Sequence, residues 1–275
     1  MGIKIEIFLY RCNLNCVFCF QKNLRKTEKN NIDYLKVKKI IDDSENKKSI
    51  IFSEPLLDKN IFDYISFAKQ KGYTDIRIHS NLILSKKEIF EQYILSVNAF
   101  IVSIHYEVHD ISVRSKAFDK IKITLINFLE LKKKYNYLVL DTNTVLTKYN
   151  YNTLDKLFKF LSFFPITRSQ LVQLYSLLYE NKEKKSLYVK YEDFNYLDNI
   201  IKIYKNITLE NFPFCQVNEF VYNNIIKRQI YNNDAFYLEN LEESSTMYIE
   251  KCKKCEYKSF CAIPKDYLQI FNIGN

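Results

Sequence analysis

At 275 residues, 47% of them apolar and 27% charged, the chain can bury one full-sized core with a small second module attached. No run of eighteen apolar residues occurs, which excludes a membrane-spanning helix, and the N-terminal MGIKIEIFLYRC lacks the h-region and cleavage site of a signal peptide. The formal charge of +9 suits an anionic partner, but the basic residues are dispersed, so neither a membrane surface nor nucleic acid is expected as one. The default location is the cytoplasm, where thiols stay reduced and seven cysteines imply metals or catalysis rather than disulfides.

In chain order, apolar runs rich in Ile, Val and aromatics predict strands at Ile3–Leu9, Ser49–Phe52, Asp75–His79, Val97–Ile104, Leu138–Leu146 and Gln170–Tyr175. Helical periods lie between them. Gly72 follows Lys71 where one such helix should stop. Ser85-Lys86-Lys87-Glu88 reads as a capping box ahead of Ile89, Phe90 and Ile94. Phe118, Ile121, Leu125 and Leu129 share one face of the next helix. A last helix is expected at Tyr191–Tyr204, after a charged connection over Ser176–Lys190. Six βα units in the first 205 residues predict a parallel sheet covered by helices, open or curled into a barrel. Six is two short of a complete eight-stranded barrel. Beyond residue 205 the pattern changes to a hairpin, Phe220–Tyr222 and Ile225–Tyr231 around Asn223-Asn224, and a cysteine-rich tail. Domains are therefore expected at 1–205 and 206–275.

Cys12, Cys16 and Cys19 follow the first strand in RCNLNCVFCFQ. Three thiols so close in one loop can turn toward one small object. Three donors on a four-iron cluster leave one iron open, and chemistry at a metal needs an open position. A structural zinc site is the alternative. It wants four ligands, and the three histidines, His79, His105 and His109, are all remote from this loop in sequence.

The Cys12-x3-Cys16-x2-Cys19 spacing, with Phe18 directly before the last cysteine, resembles the signature of radical SAM enzymes. In that family the open iron binds S-adenosylmethionine (SAM) and the aromatic packs on its adenine, which implies that role for Phe18. Phe52-Ser53-Glu54-Pro55 resembles the family's Gly-Gly-Glu-Pro motif, which contacts the SAM amino group, although both glycines are absent. His79-Ser80-Asn81 stands where the family often has Thr-Asn-Gly. Ser103 stands where a serine commonly meets the SAM ribose or carboxylate. The resemblance thus implies SAM contacts at Phe18, Ser53, Glu54, Asn81 and Ser103, and a partial (β/α)6 TIM-like barrel. His105 and His109 fall on the expected active-site rim, where solvated loop histidines and acid–base groups are equally expected. Arg114 reads either as a carboxylate clamp or as a surface charge.

Cys252-x2-Cys255-x5-Cys261 lies near the chain end, and Cys215 precedes the hairpin. Four thiolates close a site completely, and on spacing alone a zinc ribbon fits as well as iron–sulfur. The order cysteine, hairpin, CxxC-x5-C resembles the SPASM and twitch extensions of radical SAM enzymes, with Ala262-Ile263 in place of the usual x-Gly. That resemblance implies an auxiliary [4Fe-4S] cluster on Cys215, Cys252, Cys255 and Cys261. Alternatively Cys215 is a hydrogen-atom donor to a substrate radical.

The implied chemistry is reductive cleavage of SAM to a 5′-deoxyadenosyl radical that abstracts hydrogen from a substrate. An electron donor such as flavodoxin or ferredoxin is implied with it. Family members with this tail act mostly on ribosomally made peptides, so a peptide maturase is the favoured reading and a small-molecule dehydrogenase its alternative. The chain starts at its first strand, so a peptide substrate would bind directly or through a separate recognition protein. Two readings of another class are a non-enzymatic iron–sulfur carrier or sensor and a zinc-stabilised binding module.

Overall fold

The computed structural model of the chain describes residues 4–9, 12–19, 34–44, 47–83, 87–174, 187, 189, 197–210, 212, 221 and 223. The strands are β1 (Lys4–Phe8), β2 (Ser49–Ser53), β3 (Asp75–Ser80), β4 (Ala99–Ser103), β5 (Val139–Leu146), β6 (Arg168–Gln173) and β7 (Ile207–Glu210). Their helices are α1 (Tyr34–Asp43), α2 (Ile61–Gln70), α3 (Lys87–Ser96), α4 (His109–Val113), α5 (Phe118–Lys134), α6 (Leu154–Leu161) and α7 (Leu197–Ile203). The strands stand in sheet order β1 to β7, and every pairing of defined register is parallel. The fold is α/β, of the partial-barrel type expected from the alternation of strands and helices.

Register divides the sheet into two chemically different faces. Ile7, Phe52, Ile78, Phe100 and Leu140 stand in one row across β1–β5, and all five are buried. Side chains alternate along a strand, so the neighbouring rows point the other way. Those rows carry Glu6 and Arg77, then Ser53, His79 and Asp141, then Ser103 and Asn143. Arg77 donates to both Asp75 carboxylate oxygens, at 2.8 and 3.0 Å, and to Asp141 at 3.3 Å.

Contacts group the chain into two compact units. In the unit of Met1–Ile104, His109–Asn143 and Leu161–Thr167, helices cover the apolar face. From α2, Ile61, Tyr64, Ile65 and Ala68 are buried, the i, i+3, i+4, i+7 stripe of an amphipathic helix. Phe90 of α3 and Phe128 of α5 close on Phe100, at ring centroid distances of 4.9 and 6.5 Å. Helix α2 stops as its sequence predicts. Gly72 takes φ 92° and its N–H bonds the Lys69 carbonyl, while the Tyr73 N–H reaches back to Ala68, the paired bonds of a Schellman cap. In the other unit, α6 and α7 are apolar on one side, and Phe158 stacks on Tyr204 at 5.1 Å.

Two sequence expectations differ from the structure. A seventh strand, β7, pairs with β6 in register Ser169↔Ile207, so the sheet runs past the expected boundary at residue 205. Its four residues, ITLE, are fewer than in the commonest strands and carry little periodic signal. Val221, within the predicted strand Phe220–Tyr222, has helical backbone, since short apolar runs suit helix and strand alike. Ser85 and Lys86 of the capping box, residues 191–196 of the last predicted helix, and Ile225–Tyr231 lie outside the described residues. So do Cys215, Cys252, Cys255 and Cys261.

Candidate functional site

The loop Cys12–Cys19 leaves the end of β1 and is anchored by one apolar side chain. Leu14 is buried against Val113 and Ala117, with Cys12, Cys16 and Ile83 packed on the same patch. A backbone bond from Val17 N–H to the Ser112 carbonyl, 2.8 Å, ties the loop to α4, and Cys19 N–H closes a turn on the Cys16 carbonyl at 3.2 Å. Cys12, Cys16 and Cys19 are each half-buried. Phe18, also half-buried, sits within that turn.

Among the described residues no three His, Cys, Asp or Glu side chains are gathered closely enough to hold a single metal ion. A cube of iron and sulfide bridges thiolates that stand farther apart than the donors of one ion. Three half-buried cysteines on one anchored loop fit such a group.

The C-terminal ends of β2 and β3 are locked together at Glu54. Its backbone lies in the left-handed region, φ 50° and ψ 49°, which costs an ordinary residue on the order of 1 kcal/mol. Hydrogen bonds hold it there: its N–H donates to the His79 carbonyl at 2.8 Å, and its carboxylate accepts from Asn81. The Asn81 backbone N–H reaches Oε1 at 2.5 Å and Nδ2 reaches Oε2 at 2.9 Å. The family's two glycines correspond to Phe52 and Ser53, neither of which has positive φ. Glycine is thus not required there by backbone conformation. Phe52 turns into the helix-side core, and the Ser53 hydroxyl donates to the Glu6 carboxylate on the polar face.

Asn81 is 3% exposed. Besides Glu54, its Nδ2 meets Asn13 Oδ1 at 2.9 Å and Cys12 Sγ at 3.7 Å. Its own Oδ1 accepts from Ile83 N–H at 3.0 Å. Cys12 Sγ also accepts from Leu14 N–H at 3.4 Å.

Ser103 ends β4 beside a hydrogen-bonded chain that crosses the polar face. His79 Nε2 lies 3.1 Å from Ser103 Oγ, and its Nδ1 lies 3.5 Å from Glu6 Oε1. Glu6 was not singled out in the sequence, though the alternation of KIEIF puts it opposite Ile7 and so on this face.

The structure therefore brings Asn81 to both Glu54 and Cys12, and His79 to Ser103. His105 and His109 are not the solvated loop groups entertained from sequence. Both are buried, because the chain turns from β4 directly into packed helix. Burial pushes His109 down to about 4, with Asp110 opposing, and its ring lies 6.0 Å from Phe118. Asp110 is structural: Oδ1 accepts from the Ala117 and Phe118 amides, both at 2.8 Å, and so starts α5. Arg114 is exposed at φ 53°.

No protein-family model matches the chain. A protein of Methanocaldococcus jannaschii, itself uncharacterised, is 28% identical over 200 residues, which are 69% of this chain and 67% of that protein. Among solved structures, native anSMEcpe with bound AdoMet and Cp18Cys peptide has a TM-score of 0.65 at 14% identity, covering 98% of this chain and 95% of that one. Streptococcus suis SuiB bound to its precursor peptide SuiA has a TM-score of 0.58 at 16% identity, covering 90% and 53%. These neighbours are radical SAM enzymes. The fold is accordingly the partial barrel of radical SAM enzymes. No helix among the described residues is long and apolar enough to cross a membrane.

Proposed function

We propose that the protein is a cytoplasmic radical SAM enzyme acting on a ribosomally made peptide. The observation that carries this reading is the anchored loop of three half-buried cysteines after β1, set in a fold shared along nearly the full length of anSMEcpe. Cys12, Cys16 and Cys19 would hold a [4Fe-4S] cluster with one open iron. When bound, that cluster supplies one electron to the SAM sulfonium, giving methionine and a 5′-deoxyadenosyl radical that abstracts hydrogen from a substrate C–H bond.

The chain's own residues bind and orient. Phe18 offers a face for adenine. Glu54 fixes the backbone at the end of β2 where the amino group of SAM would lie, and Ser53 and Asn81 hold Glu6 and Glu54 in place around it. Ser103, aligned by His79, presents a hydroxyl to the ribose or carboxylate. Cys215, Cys252, Cys255 and Cys261 would hold an auxiliary cluster, whose contribution there would be that of an electron acceptor. An external flavodoxin or ferredoxin would reduce the first cluster. The peptide reading is supported by the two neighbours solved with peptides, Cp18Cys and SuiA.

The test is anaerobic reconstitution followed by incubation with SAM and dithionite, with 5′-deoxyadenosine measured by mass spectrometry. Wild type should form it and Cys16→Ala should not. Zinc in place of iron, or an intact iron–sulfur protein that forms none with or without candidate peptides, overturns the proposal.

A further inference from the structure

The side-chain amide of Asn81 has more acceptors than hydrogens. Its Nδ2 carries two hydrogens and faces three acceptors: Glu54 Oε2 at 2.9 Å, Asn13 Oδ1 at 2.9 Å and Cys12 Sγ at 3.7 Å. The last distance suits sulfur, whose radius exceeds that of oxygen. The amide orientation is fixed from the other side. Oδ1 accepts from Ile83 N–H at 3.0 Å, and a flipped amide would turn an oxygen onto the Glu54 carboxylate. Nδ2 has no third hydrogen to offer, so donation to the sulfur and donation to Asn13 compete.

We propose that Asn81 is a positioning residue that raises the reduction potential of the cluster held by Cys12, Cys16 and Cys19, by donating a hydrogen bond to the Cys12 sulfur. The inference rests on the cluster reading above. Reduction adds a negative charge that spreads onto the ligand sulfurs, and a donor at sulfur stabilises the more negative state. Leu14 N–H gives Cys12 a second donor from the backbone, which no side-chain change removes. Asn81 is thus a contribution that substitution can adjust, and Asn13 sets how much of it reaches the sulfur. Removing the Asn81 amide lowers the potential. Removing the Asn13 carbonyl frees a hydrogen for Cys12 and raises it.

The experiment is a reductive titration of wild type, Asn81→Ala and Asn13→Ala, each reconstituted anaerobically, with iron counted and the reduced cluster followed by electron paramagnetic resonance. Asn81→Ala keeps the backbone bond to Glu54 but loses the side-chain bonds to Glu54 and Ile83, and Asn13 is exposed, so circular dichroism of each variant accompanies the titration. At the wild-type midpoint, the reduced fraction should fall below one half in Asn81→Ala and rise above it in Asn13→Ala, at equal iron content. Unchanged midpoints in both, or a rise in Asn81→Ala, overturn the proposal. If Asn81→Ala loads no cluster, Asn13→Ala decides alone: a rise supports the proposal and no change refutes it. A wild type that binds no iron defeats the cluster reading instead, a separate result.

Discussion

His109 makes acid sensitivity a built-in property of the first compact unit. The imidazole is fully buried in α4 beside Phe118, and burial holds it at about 4 against an ordinary value of 6.5. Charging it is therefore harder in the folded chain than in the unfolded one, so unfolding takes up a proton as pH falls through 6.5. Stability is full above that value and declines toward about 4. Linkage puts the loss at about 2 kcal/mol between pH 8 and pH 5, approaching about 3 kcal/mol once both states are protonated. The perturbation is His109→Phe, which keeps an aromatic ring against Phe118 and removes the titration. Urea unfolding of both proteins, followed by circular dichroism at half-unit steps from pH 8 to pH 5, should show wild type losing about 2 kcal/mol more than the variant. Parallel pH profiles would refute the reasoning, because they would mean that the folded chain admits a charged imidazole at no cost.

Two further substitutions test the packing and the turn chemistry. Phe100→Ala, at the centre of the ring cluster with Phe90 and Phe128, should cost about 3–5 kcal/mol by urea unfolding with an unchanged m-value. Gly72→Ala should cost about 1 kcal/mol. The φ of 92° disfavours any Cβ while nothing lies within 4 Å of one, so the loss is conformational and Gly72→Ser should match it.

Much of this architecture could be read from the chain because the signals were local. Each of the six predicted strands is present with its ends shifted by a few residues, since runs of β-branched residues bounded by polar turns carry their own evidence. Gly72 was legible for the same reason. Glu54 and Asn81 could be placed at strand ends, but not their pairing, since 27 residues separate them in sequence. Glu6 escaped notice because one acid in an apolar strand reads as a solvent-facing position. Only the register of β1 with β2 and β3 shows it aimed at Ser53 and His79. The histidines were misjudged because exposure is a tertiary property, and a loop position in sequence says nothing of what packs over it.

The division of the sheet by register has an evolutionary consequence. Fold stability is invested in the row of Ile7, Phe52, Ile78, Phe100 and Leu140, while the polar side chains of Glu6, Ser53, His79 and Asn143 occupy alternate positions of the same strands. A lineage can therefore exchange Ser53, His79 or Asn143 for other side chains without disturbing the helix-side core. The same geometry makes insertions within a strand far more damaging than substitutions, because a shift of one residue exchanges the two faces. Diversification of such a chain should accumulate as point changes at alternate strand positions and as length changes in the loops.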